Sequence, residues 1–261
     1  MASKYSTKTY WDERFLTETH YEWLCTYEDI APLLAPYLGN SSTSTYWVLG
    51  TGSSALPWAL ALAHPAASVL ATDYSECLIG ALSARQAPPN LCFALCDMLD
   101  IGGSLLRHPC FGSVDAIFDK GALDAIVSAE GDQWDPNPAL LAASLQVVRG
   151  VHAALREGGR YIVVSFSQPH FRAQHLLQSA GRGAAAAGEA PGAPCCPGGG
   201  PGALESKPAG AQGEEEEEWE DDKNPHPIKA AIPPVEASLW REFSWHPVDR
   251  GLGVFLYVCT K

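Results

Sequence analysis

The segment Val48-Leu49-Gly50-Thr51-Gly52-Ser53-Ser54-Ala55 is an apolar run that ends in two closely spaced glycines. Gly50 and Gly52 carry no side chain, so ligand atoms can approach the backbone, and a helix opening behind them offers free N–H groups. A GxGxxA turn also fits a nicotinamide cofactor, and a plain tight turn uses the same residues. Asp73 follows 23 residues after Gly50 at the end of a second apolar run. A carboxylate there accepts hydrogen bonds from both hydroxyls of a ribose, with Tyr74 beside the ribose and base. Asp73 or Ser75 equally caps the next helix. Cys96-Asp97-Met98 ends a third run: Asp97 can accept from an adenine amino group while the Met98 N–H donates to a ring nitrogen, and Asp100 is the competing carboxylate.

These residues need elements that bring them to one edge. Tyr46 to Leu49, Ser68 to Thr72, Leu91 to Leu95, Val114 to Phe118 and Tyr161 to Phe166 read as strands buried on both faces. Helices are expected over Ala55 to Ala63, Ser75 to Gln86 and Pro138 to Arg156. In the last, Leu141, Leu145, Val148, His152 and Leu155 recur at three- and four-residue steps before Gly158-Gly159 stops it. Alternation of this kind implies a parallel sheet with right-handed crossovers, whose ligands bind at the carboxyl edge. Leu239 to Val248 and Gly253 to Thr260 then form a hairpin around Asp249-Arg250-Gly251, with no helix between them. The predicted fold class is therefore α/β: a Rossmann-like sheet of seven strands, mostly parallel, closed by a C-terminal antiparallel hairpin. This is the layout of the seven-stranded S-adenosylmethionine-dependent (class I) methyltransferases and not the usual dinucleotide dehydrogenase arrangement.

Phe118 to Ile126, FDKGALDAI, resembles the DKGTLDA element of a family of eukaryotic protein-lysine methyltransferases, the methyltransferase-like enzymes that modify elongation factor 1-alpha and, in a mitochondrial relative, citrate synthase. TYWDERF, YEWLCTYEDI, LGTGSSAL, TDYS and QPHFRAQH fall in that family's order and extend the resemblance over nearly the whole chain outside residues 179–234. It implies S-adenosylmethionine as cofactor, with contacts at Trp11, Phe15, Trp23, Gly50, Gly52, Asp73, Tyr74, Asp97, Met98 and Lys120. Trp11 and Trp23 precede the sheet, so they form either a lid over the sulfonium, whose charge an aromatic face attracts, or the core of an N-terminal helical cap. Lys120 offers its ammonium to the methionine carboxylate or its carbonyl to the amino group; the alternative is an exposed loop lysine. Where relatives carry threonine at the DKGT position this chain has Ala122, near the expected substrate channel.

The implied reaction is methyl transfer to a lysine ε-amine of a protein, with elongation factor 1-alpha as the expected substrate. Asp119, Asp124 and His170 are the catalytic candidates, in a slot completed by Trp134 and Phe171. Another protein, such as a citrate synthase, a small-molecule acceptor or a binding protein that has lost catalysis are the alternatives.

Composition sets the remaining bounds. Seventeen Lys and Arg against thirty Asp and Glu give a net charge of -13, which disfavours nucleic acid and anionic lipid and favours a basic partner. No run approaches the apolar length of a membrane span. From Ser179 to Pro234, 31 of 56 residues are Gly, Ala or Pro and an acidic run surrounds Trp219. The segment is expected to be a disordered insertion, a solvated spacer or a recognition arm, because it cannot bury enough apolar surface to offset chain entropy. The domain expectation is thus residues 1–178 as cap and main sheet, 179–234 as insertion, and 235–261 as the hairpin completing the same domain. Eight cysteines without a CxxC pair are expected reduced and mostly in the core, and the N-terminus lacks a signal or transit pattern, so the expected setting is cytoplasmic and the expected state a monomer. His170 and His175 lie five apart and no HExxH occurs, so no metal site is expected.

Overall fold

The computed structural model describes residues 4–39, 43–128, 133–178, 235, 238–249 and 253–261. The insertion expected over 179–234 and the tip of the expected hairpin turn lie outside the described residues.

Seven strands form one sheet in the order β3-β2-β1-β4-β5-β7-β6. β1 (Thr45–Leu49), β2 (Ser68–Asp73), β3 (Leu91–Leu95), β4 (Val114–Lys120) and β5 (Leu155–Ser165) pair in parallel, and β7 (Val254–Thr260) runs antiparallel to both β5 and β6 (Glu242–Val248). Both faces are covered. α7 (Pro138–Ala154), α8 (Pro169–Leu176) and the short α5 (Ile101–Leu105) pack with Trp47, Ile117, Tyr161 and Tyr257 on one face. α2 (Tyr27–Leu34) and α3 (Leu56–Ala63) pack with Val48, Val69, Phe118 and Leu256 on the other. This two-sided burial is why the central strands read as continuous apolar runs rather than alternating ones. Among the described residues no helix is long and apolar enough to cross a membrane.

The expected elements are present with shifted ends. β2 and β4 each reach further, so Asp73 and Lys120 are the last residues of their strands. α4 (Glu76–Ser83) stops short of Gln86. α7 ends at Ala154 and β5 starts at once, with the register between β4 and β5 slipping after Val114. Gly159 makes that irregularity possible, since a Cβ would lie 2.8 Å from the Arg156 carbonyl oxygen and 2.9 Å from that of Val114. α1 (Lys8–Phe15), α2, α5, α6 (Ala122–Val127) and α8 are not marked out in the sequence; α3 and α4, also eight residues long, are, because each fills the gap between two apolar strand runs. Cys25, Cys96 and Cys259 are buried as expected of core thiols, whereas Cys77 and Cys92 are exposed.

Candidate functional site

At the carboxyl edge of the sheet the ends of β1, β2, β3 and β4 enclose a cavity of about 640 Å³, roofed by the N-terminal strap that precedes α2. Gly50 and Gly52 make the β1 turn with φ of +61° and +53°, values that L side chains rarely adopt. A Cβ on Gly50 would come within 2.4 Å of the Ala122 Cβ, so the first glycine is required by α6 as well as by the turn. The turn is fastened to β2: the Thr51 N–H donates to the Thr72 carbonyl at 2.8 Å, and the Gly52 N–H donates to Asp73 Oδ2 at 3.0 Å.

Asp73 is 4% exposed and also accepts from the Ser75 N–H at 3.1 Å, so the capping role and a place on the cavity wall coexist in one side chain. Burial pushes its carboxyl up to about 6, and the N–H donors of Gly52, Ser75 and Tyr74 oppose the rise. The Tyr74 hydroxyl is raised by burial and then by the Asp73 charge. Asp97 and Met98 line the cavity beside them. Asp97 accepts from the Leu99 N–H at 2.9 Å and caps the turn Met98–Asp100, while Asp100 turns to the Gly103 N–H at 3.0 Å and is absent from the wall.

Lys120 lines the cavity, but its ammonium faces the strap. Nζ donates to Glu22 Oε2 and to the Trp23 carbonyl, both at 2.8 Å, and its side chain is only 5% exposed. The ammonium is therefore neither an exposed loop charge nor free for a ligand carboxylate. It pins the strap to the end of β4. Glu22 accepts as well from Ser54 Oγ at 2.9 Å and from the Ala55 N–H that opens α3. Burial works against the Glu22 charge, but these donors outweigh it and hold the carboxyl below its ordinary range.

The strap carries the aromatic roof. Trp11 stacks on Phe15 with centroids 5.7 Å apart, stands 6.3 Å from Trp23, and donates from Nε1 to the Tyr5 carbonyl at 2.7 Å. Trp11, Phe15 and Trp23 all line the cavity, joined by Tyr5 and Tyr21. The Arg14 guanidinium lies 5.6 Å from the Trp11 ring and 5.1 Å from the Trp23 ring, so these indoles already hold one cation. Two further polar ties reach the edge turns: Ser53 Oγ donates to Glu18 at 2.7 Å and Ser75 Oγ to Asp12 at 2.6 Å. Leu24, with φ of +65°, ends the strap in a backbone conformation strained for leucine.

The expected slot residues divide. Asp124 lines the cavity, bonded through Oδ1 to Ser165 Oγ at 2.7 Å and paired with Arg172. Asp119 does not line it: Oδ1 accepts from the Ala122 and Leu123 N–H groups at 2.9 and 3.2 Å, and Oδ2 accepts from the Tyr161 hydroxyl at 2.8 Å. That carboxylate caps α6 from below, and burial raises it to about 6. His170 is buried outside the wall, stacked on Trp134 at 5.2 Å and packed against Phe171. His175 bonds Ser144 at 3.0 Å, and burial lowers its imidazole to about 4, which marks a core histidine. Sequence reasoning missed Glu22, Tyr5, Tyr21, Phe166 and Arg172. For Glu22 the available signal is a single charge between the aromatics of YEW; for Arg172 it is a single charge in a helix that otherwise packs.

An α/β sheet in this order, with a glycine turn and a strand-end carboxylate opening on one cavity, defines a seven-stranded S-adenosylmethionine-dependent methyltransferase. No family model matches the chain. EEF1A lysine methyltransferase 4 of Mus musculus is 33% identical over 181 residues, and the Bos taurus protein of the same name is 32% identical over 180, each match covering 67% of both chains. The chain belongs to the methyltransferase family of these proteins. A SAM-dependent methyltransferase from Anabaena variabilis superimposes with a TM-score of 0.47 at 13% identity, over 64% of this chain and 63% of that one. The cofactor is S-adenosylmethionine, and the wall suits it: bare glycine backbone, a deep carboxylate at Asp73, and a buried Thr51 Oγ1 with no partner among the described residues.

Proposed function

We propose that the chain is a protein-lysine N-methyltransferase acting on elongation factor 1-alpha, as a monomer in the cytoplasm. Its relatives' name, EEF1A lysine methyltransferase 4, supports the target, and the Asp73 carboxylate facing the cavity beside the glycine turn carries the reading of the site. S-adenosylmethionine, when bound, supplies an electrophilic methyl group on a sulfonium. Asp73 would accept the two ribose hydroxyls with Tyr74 beside them, Asp97 would accept the adenine amino group and the Met98 N–H would donate to the ring. The Gly50 and Gly52 backbone and the Lys120 carbonyl receive the amino-acid end. Trp11, Phe15 and Trp23 cover the site and exclude water.

A lysine amine has an ordinary pKa of about 10.4, so it must be admitted as the neutral base. A dry aromatic wall favours that form, as does a nearby positive charge, and much of the acceleration comes from holding the amine in line. The net charge of -13 draws a basic protein substrate toward the enzyme at low salt. The test is incubation with radiolabelled S-adenosylmethionine and recombinant elongation factor 1-alpha, with Asp73→Ala as control. Label on the factor that disappears in the control supports the reading. An unlabelled factor beside a protein that still binds cofactor excludes the target and moves the search to other basic proteins and small molecules.

A further inference from the structure

Asp124 differs from Asp73 and Asp119 in being left half-bonded. Asp73 and Asp119 have donors on both carboxylate oxygens, whereas Asp124, 5% exposed, bonds Ser165 and Arg172 through Oδ1 alone. Its Oδ2 is buried without a partner among the described residues, and so is Nη1 of Arg172, itself 2% exposed. Leaving a buried charged acceptor unfilled carries its full desolvation cost, which a binding site recovers when a ligand brings the donor. The neighbouring wall of Ala122, Ala125, Ile126 and Phe166 has no side-chain donor, and the Lys120 ammonium is engaged elsewhere. An amine entering the cavity is a donor of the kind this oxygen lacks.

Position selects which part of the ligand. Asp124 sits on α6 between the ends of β4 and β5, and Asp73 ends β2, on the far side of β1. At a strand spacing of about 4.8 Å these carboxylates are roughly 10–14 Å apart across the sheet edge. The ribose end and Asp124 are therefore opposite ends of one cavity.

We propose that Asp124 Oδ2 accepts a hydrogen bond from the acceptor amine, an unbranched primary amine such as a lysine side chain, and that Arg172 is the positioning residue that lets it do so without holding an ammonium; this rests on the reading given above. A lone carboxylate favours the protonated amine, which has no lone pair to offer. The Asp124–Arg172 pair is neutral overall, so it orients one amine N–H and leaves the lone pair free. The other titratable groups around the pair are Asp119 on β4, Tyr161 on β5, Tyr257 on β7 and His170 and His175 on α8. Tyr5 adds its phenol from the strap, Lys120 its engaged ammonium, and α7 bears Arg149 and His152.

The experiment compares wild type, Asp124→Asn, Arg172→Met and the double variant Asp124→Leu with Arg172→Met. Asp124→Asn is expected to bind S-adenosylmethionine in calorimetry as wild type does and to lose about tenfold or more in kcat/KM on elongation factor 1-alpha, the worth of one charged hydrogen bond. Arg172→Met is expected to move the rising limb of the kcat–pH profile to higher pH, which loss of packing alone would not do. The apolar double variant is expected to melt no lower than wild type while losing methylation, since a buried pair replaced by apolar residues costs the fold little. It also keeps the test decisive if Asp124→Asn does not fold. Weakened cofactor binding in Asp124→Asn would assign Oδ2 to the cofactor's amino group and overturn the proposal, as would unchanged kcat/KM or an unmoved pH profile. A wild type that labels no protein would remove the underlying reading instead, and this shows before any variant is compared.

Discussion

The two walls of the cavity are built differently. The edge turns are held by backbone: Gly50 and Gly52 at positive φ, N–H groups on Asp73, and strand ends locked in a sheet buried on both faces. The strap is held by side chains, with Glu18, Glu22 and Asp12 each reaching one edge turn and indoles leaning on one another and on Arg14. None of the residues of α1 is buried, whereas β1 has four buried of five. The edge is thus part of the global fold, and the strap is a local unit able to open at a smaller free energy. A site that must admit and release ligand benefits from that difference.

Breaking the edge should have the largest effect. Asp73→Ala removes the carboxylate proposed to accept the ribose together with the tie to Gly52, and cofactor affinity in calorimetry should fall by more than about 100-fold. The melting temperature should fall with it. Lys120→Met unpins the strap and leaves the Glu22 carboxylate without its cation. Affinity should drop by roughly tenfold while the far-ultraviolet spectrum stays native, and adding Glu22→Gln should restore part of the loss. An effect as severe as that of Asp73→Ala would show that the strap is not a separable unit.

The third prediction uses pH. Burial raises Asp73 from 3.8 to about 6, so the folded state binds its proton more tightly than the unfolded chain. The stability linked to this group is therefore full below about 3.8 and is lost as pH rises through about 6. Ribose binding runs the other way, because the hydroxyls donate to the ionised form. Cofactor affinity should decline as pH falls below about 6, by up to about tenfold per unit, and Asp73→Asn should abolish the dependence. Asp119, also raised to about 6, contributes to the stability profile but faces away from the cavity and should leave the affinity profile alone. The smallest effect is expected for Trp11→Leu, a loss of about threefold in affinity with an unchanged melting temperature, because Phe15 and Trp23 still roof the site.

Much of the fold was legible because its signals are local. The apolar runs of β1, β2, β4 and β5 reflect a sheet buried on both faces, and the hairpin after residue 234 is announced by two runs with no helix between. Of the short helices, α3 and α4 were legible from their place between successive strand runs, whereas α1, α2, α5, α6 and α8 were not, since eight residues or fewer give barely two turns of periodicity to add to such a frame. In the site, glycine spacing and strand-end carboxylates placed Gly50, Gly52, Asp73 and Asp97 on one edge. Asp119, Asp124 and His170 could not be told apart that way. Asp119 and Asp124 flank the turn from β4 to α6 and His170 opens α8 after β5, and what separates them is the partners each finds in the packed fold.

The sequence by itself determined the sheet, its carboxyl edge and the glycine turn, because strand propensity, turn geometry and two-sided burial act between near neighbours along the chain. Only the tertiary structure decided that Lys120 grips Glu22 and not a ligand, that Asp119 caps a helix, and that Asp124, on the cavity wall, keeps one buried oxygen without a partner among the described residues. Those outcomes depend on partners up to 98 residues away, and hydrogen-bond allocation among buried groups is settled by which donors the packed fold brings within reach.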